Sequence, residues 1–121
     1  MKTFLAKDIA AEVRRIINDA AGAKFTDAQL ALAINAAIKT LLIDAPVSRY
    51  TSLVAFTDEA TLTITGTSGT TIADTDAVPL DVRWAKAVTH YTAYLCFSQD
   101  DRSTVNADYA KEQLKLYGEA L

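Results

Sequence analysis

A single cysteine stands in this chain, so no internal disulfide can staple the fold. A single histidine accompanies it, and one His with one Cys cannot furnish a zinc site. Two prolines and four glycines leave no long linker and no low-complexity segment. No apolar run approaches the roughly 18–20 residues of a membrane span. Met1–Leu5 is followed by Lys7 and Asp8, so no secretory pattern opens the sequence, and a soluble protein made in the cytoplasm is expected. Basic excess is missing too. Twelve Lys and Arg face fifteen Asp and Glu, a net charge of −3, which argues against a nucleic-acid groove. Arg14–Arg15 and Arg83 with Lys86 come nearest to basic patches, and both read as solvated faces.

What is present is a 121-residue, half-apolar chain with 22% charged residues, enough for one domain with a real core. Leu5, Ile9, Val13, Ile16, Ile17 and Ala20 recur at three- and four-residue steps, which predicts a helix over about 5–20 closed by Gly22. A second helix over 27–44 opens on Thr26 and Gln29, the spacing of a capping box, with Phe25 placed to staple onto Leu30. Its expected buried face is Leu30, Ile34, Ala37, Ile38, Leu41 and Leu42, and Pro46 stops it. After Pro79 a third helix is expected over about 80–98, apolar nearly all round, and a fourth over about 104–119, capped by Ser103.

Between the second and third helices the character changes. Threonine dominates residues 51–75, and "TLTIT" alternates Thr with Leu62 and Ile64, the two-residue period of a half-buried strand. "GTSG" at Gly66–Gly69 supplies the turn. Strands are expected near 52–57, 60–65 and 70–73. The fold class is therefore mainly α: one domain over 1–121, a four-helix bundle with a β-hairpin of two to three short strands inserted between helices two and three.

Chemistry, if any, would concentrate in "HYTAYLCFSQDD", residues 90–101. His90 and Cys96 are six apart, on different faces of one helix, and cannot pair as base and nucleophile. Cys96 reads as a small buried apolar residue. Asp100 and Asp101 follow the helix end, where negative charge complements the start of the next helix. "DTDAVPLD" lacks the glycine and glutamate of a calcium loop, and "GTSG" lacks the lysine of a phosphate loop. No catalytic residue, metal ligand or cofactor-binding residue is assigned, and no enzyme is expected. The histidine would revive one only by sharing a deep pocket with Asp100 or Asp101.

The rings are the surplus. Trp84, Tyr91, Tyr94, Phe97, Tyr109 and Tyr117 crowd two helices, and they fill either the core or an interface. The hairpin edge carries few charged guards and could extend a neighbour's sheet. The candidate interface is Trp84, Tyr91, Tyr94, Leu62, Ile64 and Thr67.

Two stretches carry a resemblance. "AKDIAAEVRRIINDAAGAKFTDAQLALAINAAIKTLL", through Ile17-Asn18-Asp19, Phe25-Thr26, Leu30 and Asn35-Ala36-Ala37, resembles the opening of the head–tail adaptor (head-completion) proteins of tailed bacteriophages. "PLDVRWAKAVTHYTAYLCFSQDDRSTVNADYAKEQLKLY", through Phe97-Ser98-Gln99-Asp100, Ala107, Ala110 and Tyr117, resembles their closing part. Together they cover about two-thirds of the chain. The resemblance implies a ring, commonly of twelve copies, beneath the portal at the virion's head–tail junction. Its expected partners are copies of itself, the portal and the next neck or tail protein, with DNA only as passing cargo and no membrane. Family members often dock through an extended carboxyl tail; here the sequence stops at Leu121, so either Tyr117–Leu121 docks alone, as the candidate docking end, or portal binding uses another surface. The alternatives are a tail-completion or stopper protein of the same neck, and a bacterial helical module that binds proteins.

Overall fold

In the computed structural model the described residues are 2–19, 24–52, 62, 64, 71–99 and 104–121, with backbone alone at Tyr50, Thr104 and Val105. Among the described residues the fold is mainly helical, with five helices and one small two-stranded antiparallel sheet. In order come β1 (Phe4–Leu5), α1 (Ala6–Ile17), α2 (Asp27–Asp44), α3 (Val47–Thr51), β2 (Ala77–Val78), a 3-10 turn (Val82–Trp84), α4 (Ala85–Gln99) and α5 (Thr104–Ala120).

The first helix stops earlier than the apolar spacing predicts. Asn18 adopts the left-handed conformation, φ 57°, and with Asp19 donates its N–H back to the last turn. Asparagine tolerates that region better than most residues, so the helix closes on Asn18 itself. Gly22, the expected cap, lies outside the described residues.

Asp19 then organises the corner. Its carboxylate accepts the N–H groups of Lys24 and Phe25, each at 3.0 Å, and its side chain is 3% exposed. Arg14 spans the same corner, donating to Phe25 O at 2.8 Å, Asp27 Oδ1 at 2.8 Å and Asp19 Oδ2 at 3.3 Å. The second helix begins as the sequence predicts. Thr26 Oγ1 accepts from the Gln29 N–H, and Gln29 Oε1 accepts from the Thr26 N–H. All six residues of its expected inner face are buried.

Pro46 stops α2 but does not open a strand region. It precedes α3, a position where its missing N–H costs nothing. The hairpin turn at 66–69 and most of strands 52–57 and 60–65 lie outside the described residues. Where that stretch is described, at 52, 62, 64 and 71–73, the backbone is not in a strand. Side chains supply the missing partners. Asn35 clamps Leu62, accepting its N–H at 2.6 Å and donating to its carbonyl at 3.1 Å. Asp27 Oδ2 accepts from the Ile72 N–H and Asp76 Oδ2 from the Ala73 N–H.

The observed sheet pairs Phe4 with Val78 and Leu5 with Ala77. Two flanking bonds, Ala6 N–H to Asp76 O and Val82 N–H to Lys2 O, strap the chain's first residues to the approach of α4. The third expected helix is therefore shorter than 80–98. Asp81 accepts the Arg83 N–H and starts a 3-10 turn that leads into α4.

Helix α4 is central, packing against α1, α2 and α5. Its apolar surroundings explain how it tolerates threonine. The hydroxyls of Thr89 and Thr92 donate to the carbonyls of Ala85 and Val88, one turn back, and so hide their polarity. Ile9, Val13, Leu30, Ile34, Ile38, Leu41, Leu80 and Val88 form the centre of the core.

Candidate assembly surface

Of the residues expected at an interface, three belong to the chain's own core. Trp84 is buried, and its indole N–H donates to Thr51 Oγ1 at 2.9 Å, tying α3 to the start of α4. Leu62 is buried beside Asn35. Tyr117 is buried as well, its hydroxyl donating to Asp44 Oδ2 at 2.8 Å. Burial, with the Asp44 bond, raises the Tyr117 pKa well above the usual phenol value. Thr67 lies outside the described residues.

The remaining rings satisfy one another. Tyr91 meets Tyr94 at 5.3 Å between centroids and Tyr117 at 4.9 Å, the second pair edge-on. Phe97 meets Tyr109 at 5.4 Å. Such pairings stabilise beyond the area they bury. Much of the aromatic surplus is thus the seam between α4 and α5, with Tyr91, Tyr94 and Ile64 left half-buried. Of the candidate docking end Gly118, Glu119 and Leu121 are exposed and Tyr117 is buried.

Among the described residues the most exposed large apolar side chains lie on α2 and at the start of α3, ahead of Val82, Tyr109, Leu114 and Leu121. Leu32 is 71% exposed, Ile43 73%, and Val47, at the start of α3, 54%. Gln29, Leu32, Ala36, Lys39 and Ile43 are exposed at alternating three- and four-residue steps, the spacing of a seam along one helix face. The inner face, Leu30 to Leu42, is separately buried, so α2 is apolar on both sides. Leu32, Ile43 and Val47 are the most exposed large apolar side chains among the described residues, and exposed apolar surface of this kind is a candidate contact. Only the inner face of α2 is named from the sequence above, although the second spacing stands beside the first.

The other surface feature is a groove of about 410 Å³ between α1 and α4, lined by Phe4, Asp8, Ile9, Glu12, Ala85, Lys86, Thr89 and His90. The carboxylates near His90 are thus on α1; Asp100 and Asp101 lie outside the described residues. His90 Nδ1 is hydrogen-bonded to Gln113 Oε1 at 2.8 Å. Its neighbour Glu12 is held below the ordinary carboxylate pKa by its bond to Arg15, with the charges of Arg15 and His90 adding to this. Thr89 spends its hydroxyl on its own helix. Glu12, His90 and Thr89 thus each already have a hydrogen-bond partner within the chain.

Cys96 is buried, and burial pushes its thiol up to about 12, so at neutral pH it is an unreactive packing residue. Among the described residues no group of three or more His, Cys, Asp or Glu could hold a metal ion. No helix among them is long and apolar enough to cross a membrane. No protein-family model, no curated protein and no solved structure matches this chain.

Proposed function

We propose that this chain is a non-enzymatic structural subunit, and that it forms the ring joining the portal of a tailed bacteriophage to its neck or tail. The observation that carries the assembly reading is the second apolar seam of α2, Leu32–Ala36–Ile43 with Val47 beside it, exposed while the inner seam fills the core. The choice of assembly rests on the resemblance to head–tail adaptors. Four of its residues now have a physical role: Asn18 and Asp19 turn the chain out of α1, Thr26 caps α2, and Asn35 clamps Leu62. On this reading the four long helices form a closed bundle with the 51–75 insertion at its side.

The ring holds twelve copies in the virion, extends the DNA channel and offers one rim to the portal and the other to the neck or tail protein. A net charge of −3 suits a wall past which DNA slides without sticking. Gly118, Glu119 and Leu121, exposed at the end of α5, are the surviving part of the docking end. The test is recovery of the chain with portal protein in a pull-down, together with its presence in purified virions. Capture by the tail protein alone would mark a tail-completion or stopper subunit of the same neck. Failure of both binding experiments, with virions lacking the chain, would remove the reading.

A further inference from the structure

We propose that the outer seam of α2 docks on the outer face of α5 of a second copy, head to tail. The inference rests on the assembly reading above and supplies the joint that reading leaves open.

Helix α5 has its own unpartnered face. Ala107, Lys111, Leu114, Gly118 and Leu121 are all exposed, Leu114 at 42% and Leu121 at 45%, and they recur at alternating four- and three-residue steps. Gly118 sits inside a helix, where glycine is weaker than alanine, yet a Cβ built there meets nothing within 4 Å. Packing among the described residues therefore gives no reason for a glycine. Close approach by something from outside does.

The two faces match in spacing. On α2 the protruding residues Leu32 and Ile43 are eleven positions apart; on α5 the gaps at Ala107 and Gly118 are eleven apart as well. Set side by side in the same direction, Leu32 falls against Ala107, Ala36 against Lys111, Lys39 against Leu114 and Ile43 against Gly118. Each large residue meets a small one or the apolar stem of a lysine, whose charged head can still reach water.

The parallel direction also follows from the fold. Helices α2 and α5 run the same way within one chain: Lys24, Phe25 and Asn106 line one crevice near their starts, and Asp44 and Tyr117 bond near their ends. Rotation about an axis along the helices leaves that direction unchanged from copy to copy. A joint between two different faces repeats until it closes a ring or continues as a filament. A two-fold axis along the helices would instead set the outer face of α2 against its own copy, Ile43 against Ile43, and leave the gaps at Ala107 and Gly118 unfilled. Two crossing helices bury well under the roughly 800 Å² per partner of a stable pair, so one joint is weak and two per copy hold a closed assembly.

Mixing chains that carry Ile43→Cys with chains that carry Gly118→Cys, then oxidising, tests the joint. A disulfide needs the two Cα atoms within about 7 Å, which the proposed register supplies. The expected result at about 1 mM chain is a cross-linked dimer in the mixture at least tenfold above that from either variant alone or the unsubstituted chain. A product from neither mixture nor variants overturns the joint, as does one formed equally by Ile43→Cys alone. In a second experiment, Leu32→Cys is mixed with chains carrying Ala107→Cys and Gly118→Leu together. The leucine should raise the thermal midpoint of the isolated chain, by strengthening α5, while cutting cross-linking about tenfold by filling the gap. Unchanged cross-linking refutes the proposal. A failed cross-link with the chain still present in virions overturns this joint alone, whereas a cross-link without virion recovery removes the connector reading and keeps the joint.

Discussion

Replacing Arg14 by methionine should cost about 3 kcal/mol of folding free energy, far more than an ordinary surface ion pair. The side chain is 14% exposed and holds three things at once: the carbonyl of Phe25, the carboxylate of Asp19 and that of Asp27. Methionine keeps the aliphatic stem, so packing loss is small and the change is mostly electrostatic. Removing one partner of a buried pair typically costs about 3–5 kcal/mol, because the remaining charge stays in the interior. The lower end applies here: Asp19 keeps the N–H groups of Lys24 and Phe25, and the Asp27 side chain, 30% exposed, can be hydrated. In a chain of this size the loss corresponds to a fall of about 10 °C or more in Tm.

The assay is urea unfolding followed by Trp84 fluorescence, with Asp19→Asn and the double variant completing the cycle. Neutralising Asp19 should return at least about 1 kcal/mol to Arg14→Met, since the stranded charge is then gone. Acid gives an independent reading. Burial works to raise the Asp27 pKa from its ordinary 3.8, but the bonds from Arg14 and the Ile72 N–H outweigh it and leave it lowered. A depressed carboxylate stabilises the fold above its unfolded pKa and loses that contribution as pH falls through its folded pKa. Wild type should therefore shed this stability below about pH 4, and Arg14→Met should lack the Arg14-dependent part of the decline. An Arg14→Met variant within about 1 kcal/mol of wild type, with an unaltered acid limb, would refute the reasoning.

Other expectations follow from single groups. Cys96, its pKa raised by burial from 9.0 to about 12, should resist thiol reagents at pH 8 in the folded chain and label at the rate of unfolding; rapid labelling under native conditions would contradict its place in the core. The same shift carries stability that is complete below pH 9 and is lost as pH rises toward 12, so alkaline unfolding of Cys96→Ala should begin at higher pH than that of wild type. Asn35→Ala removes both bonds to Leu62 and should cost about 1–2 kcal/mol. Amide exchange at Leu62 should then accelerate, and protection equal to wild type would show that the clamp is dispensable.

How far the sequence reached depends on whether its signals were local. The limits of α2 follow from Thr26, Gln29 and Pro46, which act within a turn of themselves, and those limits were legible. The end of α1 depended on which of several small residues took the left-handed turn, and Asn18 took it ahead of Gly22. The pairing of Phe4–Leu5 with Ala77–Val78 was out of reach: two residues per strand give no alternation, and their partners lie more than seventy positions away. Threonines 89 and 92 hide in α4 by bonding their own helix, a choice composition does not announce. The aromatic residues were visible in the sequence, which left open whether they fill the core or an interface. Tyr91 meets Tyr94 along α4 and Tyr117 across on α5, and the second of these ring contacts is tertiary. The exposed seam had a sequence signal, the three-four spacing from Gln29 to Ile43, masked by the stronger spacing of the inner face one position away.

The central claim is that the outer face of α2 is covered when this protein is at work. Comparing the accessibility of a cysteine at Ile43 in the free chain and in assembled particles tests it most directly, with Cys96 as the buried internal standard. The account predicts rapid labelling of Ile43→Cys in the free chain and at least about tenfold slower labelling after assembly. Equal labelling in both, in particles that contain the protein and remain infectious, would contradict it.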